Sequence, residues 1–246
     1  MSEHTSSVTA RHAAQLRDEG YAFVSAADAC ALLSLPAGWP QALAPSWAQL
    51  PRDSYLRDGG RYRARRHSCF IQEIEAGTLV RTPHRAHWQG VAYNALHGGM
   101  ERWYEPITLE IVTATVWTPL LLGLGRLFAQ VRAAPERWYL EAHQFRIDTA
   151  GGIGRPTPEG AHRDGVDFVA VILIAREQIR GGETHVFDAD GPSGVRFTIR
   201  EPGAMLLLDD TRVIHETTPI QPAHGAEGHR DTLVLTYRAG GFQAPA

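Results

Sequence analysis

From Trp138 onward the chain breaks into short apolar runs separated by glycine- and proline-rich turns, and this rhythm constrains the fold more than any other feature. The runs cover 138–148, 168–175, 183–188, 195–200, 204–209 and 231–238. Each has strand length and is bounded by turn residues, and no helical stretch lies between them to carry a parallel crossover. The pattern predicts an antiparallel double sheet of the jelly-roll kind over 136–240.

Upstream the texture differs. Residues 8–35 carry an intermittent helical pattern, with a helix ending at Gly20 before a strand, and Pro36, Pro40, Pro45 and Pro51 punctuate a loop-rich passage. Over 84–133, Trp88, Val91, Ala92 and Leu96 keep roughly helical spacing, as do Leu120, Leu121, Leu124, Leu127 and Phe128, which predicts mainly helix. Residues 1–135 therefore read as a helix- and loop-rich part packed outside the jelly roll. With 246 residues, 43% of them apolar, the length fits a single domain over 1–246. Trp88, Trp103, Trp117 and Trp138 are assigned to the core and its rim.

Balanced charge excludes some partners. The formal net charge is -3, from 24 basic and 27 acidic residues, without a long run of either sign, so no nucleic-acid footprint is expected. The first ten residues lack the order of a secretory leader and no apolar stretch is long enough to span a bilayer, which gives an expectation of a cytoplasmic protein without membrane attachment. Cys30 and Cys69 then read as two reduced structural thiols. A small molecule is the expected partner, and a homo-oligomer is compatible with the sequence.

After the loop 151–160 stands His162-Arg163-Asp164, and because strand side chains alternate, His162 and Asp164 can point at one ion. A third ligand, His215, follows the run Met205–Leu208. Two imidazoles and one carboxylate on one face of Fe(II) leave positions open for a bidentate cosubstrate and O2, although zinc accepts the same ligands. Arg230 and Thr232 share a face at the start of the last strand, and a guanidinium with a hydroxyl matches the distal carboxylate of a 2-oxo diacid. Arg238 is the alternative cation. Gln144 and Arg146 share a face of an earlier strand, from which Gln144 would reach the cosubstrate and Arg146 the substrate. His143, His185, His224 and His229 read as packing or surface histidines.

His162, Asp164 and His215 with Arg230 and Thr232 resemble the Fe(II)/2-oxoglutarate-dependent dioxygenases. More narrowly, Tyr55–Gly60, Tyr62-Arg63, Arg65-Arg66, Glu141–Ile147 and Gly181–Thr184 resemble the bacterial branch that contains L-isoleucine 4-hydroxylase and related free amino-acid hydroxylases. The resemblance implies a mainly β fold with flanking helices around a double-stranded β-helix, or cupin-like jelly roll. It also implies Fe(II), 2-oxoglutarate and O2 as cofactor and cosubstrates, and hydroxylation of an unactivated carbon of an aliphatic L-amino acid with release of succinate and CO2. Tyr62, Arg66, Arg146 and Thr184 are the substrate-binding candidates. Asp164 argues against halogenation, which needs a small residue there. The same chemistry on another small molecule or a peptide-bound residue stays open, as does a non-catalytic iron and 2-oxoglutarate sensor.

Overall fold

The computed structural model describes residues 3–132 and 135–245. In chain order the elements are α1 (Glu3–Glu19), β1 (Tyr21–Val24), α2 (Ala26–Leu33), α3 (Trp39–Leu43), a 3-10 turn (Ala44–Gln49), β2 (Arg63–Glu73), β3 (Thr78–Arg81), α4 (Leu109–Val112) and α5 (Trp117–Val131). Then follow β4 (Arg137–Asp148), β5 (Phe168–Glu177), β6 (Ile179–Gly181), β7 (Thr184–Asp188), β8 (Gly194–Phe197), β9 (Met205–Asp209), β10 (Val213–Thr217), β11 (Ile220–Pro222) and β12 (His229–Arg238). No helix among the described residues is long and apolar enough to cross a membrane.

Seven strands form the major sheet in the order β1-β9-β5-β12-β4-β2-β3, every pairing antiparallel, and a minor sheet runs β10-β7-β8. This is the jelly roll expected from the strand rhythm, with helices flanking it. Two corrections concern the first half of the chain. Three major-sheet strands, β1, β2 and β3, come from residues before 135, so that part completes the sheet as well as covering it. β2 escapes a sequence reading because both its faces are buried while its composition is rich in arginine. Residues 84–108 are turns and an isolated bridge, and helix is confined to α4 and α5. Their apolar spacing buries little, since Val91 is 62% exposed, and Gly90, Gly98, Gly99 and Pro106 interrupt any helix.

Cross-strand register divides the major sheet into two faces. Leu233, Leu235 and Tyr237 of β12 pair with Gln144, Ala142 and Leu140 of β4, and this face packs into the main core against α5, where Leu120, Leu124 and Phe128 are buried. Arg230, Thr232, Val234 and Thr236 pair with Ile147, Phe145, His143 and Glu141 on the opposite face, which is turned toward a cavity. β2 continues that face with Arg63, Arg65 and His67 beside Ile147, Phe145 and His143. Trp47, Trp117 and Trp138 belong to the core, whereas Trp103 is exposed.

Candidate active site

The three expected metal ligands converge at one end of this cavity. The segment carrying His162 lies beside β10 as an isolated bridge, with His162 N–H donating to His215 O and His215 N–H to His162 O, both at 3.0 Å. The bridge sets the two rings side by side, 4.7 Å between centroids. Asp164, two residues on, brings Oδ1 to 3.8 Å from His162 Nε2 and Oδ2 to 3.9 Å from His215 Nε2. These separations are too long for hydrogen bonds and suit donor atoms arranged around an ion.

The turn after Asp164 is held from below. Buried Asp210 accepts the backbone N–H groups of Asp164, Gly165 and Val166 at 2.9, 2.8 and 3.0 Å. Gly165 has φ +77°, a left-handed conformation that only glycine adopts cheaply, and an added Cβ there would meet the Tyr93 ring. Gln89 donates Nε2 to Asp164 Oδ1 at 3.0 Å, so the 87–102 loop reaches the carboxylate from the other side. Burial opposes protonation of His162, but Asp164 and Glu159 outweigh it and raise its pKa, while burial lowers that of His215 to about 3. Glu159 Oε1 stands 3.6 Å from His162 Nε2, an acidic neighbour that the sequence reading did not single out.

Arg230 lines the same cavity together with Thr232. It is only 4% exposed, makes no ion pair among the described residues, and leaves Nη2 without a hydrogen-bond partner. A buried guanidinium with an orphaned N–H is a costly arrangement unless an anion completes it. That orphan is the observation by which the cavity fits a carboxylate cosubstrate, as the open spacing of the triad fits a metal ion.

The other expected residues lie elsewhere. Gln144 and Arg146 have the opposite parity to Arg230's partner Ile147, so they point away from the cavity: Gln144 donates to Ser46 Oγ at 2.8 Å, and Arg146 forks onto Asp231 at 2.8 and 2.6 Å. Arg66 shares that parity and pairs with Glu105 at 2.8 Å. Tyr62 packs with Ile147 and Ile220 while its hydroxyl donates to Asp58 at 2.5 Å. Thr184 is the buried cross-strand partner of the cavity-lining Thr217, its hydroxyl 3.2 Å from that of Thr217, and does not itself line the cavity. Arg238 donates to Gly241 O. For Gln144, Arg146 and Arg66 the error is one of register: alternation identifies which residues share a face but not which face meets the cavity.

A second buried group also has metal-ligand composition: His67, His87, Glu141 and His143. Here the atoms are closed on one another. His67 Nε2 and His87 Nδ1 each lie 2.7 Å from Glu141 Oε2, hydrogen-bond distances. Arg65 Nη2 lies 2.7 Å from His143 Nδ1, and a guanidinium only donates, so that nitrogen accepts and the ring proton sits on Nε2. Nε2 in turn faces Glu141 Oε2 from 3.8 Å. His143 is thus a wall residue and not the packing or surface histidine expected from sequence.

The sequence profile of the 2OG-Fe dioxygenase family matches residues 44–236, more than half of the chain. The chain belongs to that family. This dioxygenase therefore works with Fe(II), 2-oxoglutarate and O2. Among solved structures it is similar to a bsmA homolog from Methylobium petroleophilum PM1, with 56% identity, a TM-score of 0.92, and coverage of 97% of this chain and 96% of that one. It shares its fold with IDO from Bacillus thuringiensis at 15% identity and TM-score 0.75, covering 95% and 96% of the two chains. The Fe(II)/(alpha)ketoglutarate-dependent dioxygenase TqaL is likewise similar in fold, at 18% identity and TM-score 0.73, over 97% of this chain and 90% of that one. No curated protein matches the dioxygenase.

Proposed function

We propose that His162, Asp164 and His215 hold the iron of this dioxygenase, that Arg230 and Thr232 receive the distal carboxylate of 2-oxoglutarate, and that the substrate is a free aliphatic L-amino acid. An unactivated C–H becomes C–OH, one atom of O2 entering the product and the other the succinate formed with CO2. One observation carries the reading: the triad and the unpaired guanidinium of Arg230 line a single cavity.

Bound iron with 2-oxoglutarate supplies the activation of O2; the chain supplies position, charge and exclusion of water. Arg230 neutralises the cosubstrate's far carboxylate in a dry site, where the fork also fixes its direction. Val166, Val171 and Val234 give the cavity apolar wall beside the metal ligands. Asp210 and Gln89 orient Asp164 from its two sides.

Spacing favours the triad over the second histidine group as the iron site, because the 2.7 Å contacts around Glu141 are hydrogen bonds that fill the space an ion would occupy. The thiols of Cys30 and Cys69 are free, as suits a reducing cytoplasm.

The test is an anaerobic complex with Fe(II) and 2-oxoglutarate, started with O2 in the presence of each of the twenty L-amino acids. Succinate formed together with a product heavier by one oxygen supports the reading. An iron and 2-oxoglutarate complex that yields no amino-acid product overturns the substrate class and leaves the cofactors standing.

A further inference from the structure

Glu141 and Arg102 are cavity-lining charges that neither iron nor 2-oxoglutarate employs. Glu141 is 7% exposed, and its Oε2 is saturated by His67 and His87, but Oε1 has no hydrogen bond among the described residues. Arg102 is 2% exposed and makes no ion pair among the described residues; Nη2 donates to Gln89 Oε1 at 2.9 Å while Nε finds no partner. The other arginines of β2 have a counter-ion: Arg63 has Asp53 at 2.7 Å, and Arg65 has the same carboxylate at 4.0 Å besides the Tyr104 hydroxyl and His143, so that only its Nε lacks a partner.

One backbone bridge locates both charges. His87 and Arg102 exchange N–H to O hydrogen bonds at 3.0 Å, so their side chains project to the same side. The His87 ring holds Glu141, and the Arg102 fork rests on Gln89, which reaches the metal-ligand candidate Asp164 at 3.0 Å. His87 and Gln89 are alternate residues of one extended segment, roughly 7 Å apart along it. Two opposite charges thus stand within amino-acid reach of the iron ligands.

We propose that Glu141 and Arg102 clamp the two ends of a zwitterion, Glu141 Oε1 receiving the α-ammonium and Arg102 the α-carboxylate. The clamp rests on the triad and amino-acid reading given above, and it makes the free α-amino and α-carboxyl groups, not the side chain, the anchor of recognition. His67, His87 and His143 serve it by presenting N–H groups to Glu141 and keeping that carboxylate ionised and oriented. Burial lowers the pKa of all three rings, that of His87 to about 4, so they act as neutral donors near neutral pH and leave the carboxylate's charge for the ligand. A residue within a peptide has neither charged end and would leave Glu141 Oε1 and Arg102 Nε buried without a charged partner.

Anaerobic calorimetry on the Fe(II) and 2-oxoglutarate complex tests this. The probes are L-leucine, L-isoleucine, L-valine and L-methionine and, for the tightest of them, its deaminated acid and its decarboxylated amine. The wild type is expected to bind the amino acid at least about tenfold more tightly than either analogue, a comparison that needs no variant to fold. Glu141→Gln lowers affinity for the amino acid by a similar factor and leaves the deaminated acid unchanged; Arg102→Gln lowers the amino acid and the acid and spares the amine. Both variants keep wild-type affinity for 2-oxoglutarate. No binding of any of the four amino acids, no discrimination by the wild type, or an equal loss of amino acid and deaminated acid in Glu141→Gln overturns the clamp. A wild type that fails to take up Fe(II) or 2-oxoglutarate brings down the reading beneath it instead.

Discussion

His162 and His215 exchange both of their backbone hydrogen bonds at 3.0 Å, which makes residues distant in sequence a cross-strand pair with ring centroids 4.7 Å apart. The ligand geometry is therefore built by the backbone before metal arrives, and metal should stabilise the fold without reshaping it. At a metal concentration a thousandfold above Kd the gain is about 4 kcal/mol by mass action. Anaerobic Fe(II) should raise the melting temperature with no change in far-ultraviolet circular dichroism, and a chelator should reverse the rise.

Arg230 is expected to govern cosubstrate affinity. Truncating one partner of a buried charge-assisted pair costs about 2–5 kcal/mol, so Arg230→Gln should raise the KM for 2-oxoglutarate by roughly 100-fold while iron content stays at the wild-type level. Steady-state kinetics with metal analysis checks both halves.

Gln144 supplies the contrast. It is fully buried on the core face and donates to Ser46 Oγ. Gln144→Ala should leave the KM for 2-oxoglutarate unchanged and lower stability by about 1–3 kcal/mol through the cavity left and the lost hydrogen bond, measured by denaturant unfolding.

Sequence alone was informative where chemistry and alternation coincide. Six strands, the jelly roll and the spacing of His162 and Asp164 follow from period-two patterning and from ligand types with few other uses. Register was the obstacle: Gln144 and Arg146 share a face, but only the pairing of Ile147 with Arg230 reveals that the cavity takes the odd-numbered residues of β4. Glu141, His143 and Phe145 are those residues. Gln89, Arg102 and Asp210 were invisible for another reason, since a loop and a turn bring Gln89 and Asp210 to Asp164, and Arg102 to Gln89, through contacts that have no sequence period.

Asp210 is expected to act as a positioning residue. Asp210→Ala removes the acceptor of three backbone N–H groups around Asp164, and loss of such outer support costs about 10–100-fold in metal affinity. Competition with a fluorescent chelator should show that loss, with the far-ultraviolet spectrum retained.

Acid should destabilise the metal-free protein. Burial lowers the pKa of His87 from 6.5 to about 4, so the unfolded chain binds more protons between those values and stability falls as pH drops through that window. Burial pushes the Glu141 carboxyl up, but His87 and His67 outweigh it and hold it well below 4.5, so its contribution is also lost on acidification, below that value. Melting temperatures from pH 7.5 down to 4 should fall, and His87→Gln should flatten the upper part of the curve.

The assignment of iron to the triad is tested most directly by anaerobic Fe(II) titration of the wild type, His162→Ala and His67→Ala, read by tryptophan fluorescence and by metal content after gel filtration. One iron per chain in the wild type and in His67→Ala, with iron lost in His162→Ala, is the predicted result. Iron retained by His162→Ala and lost from His67→Ala would place the metal on the Glu141 cluster and contradict the account.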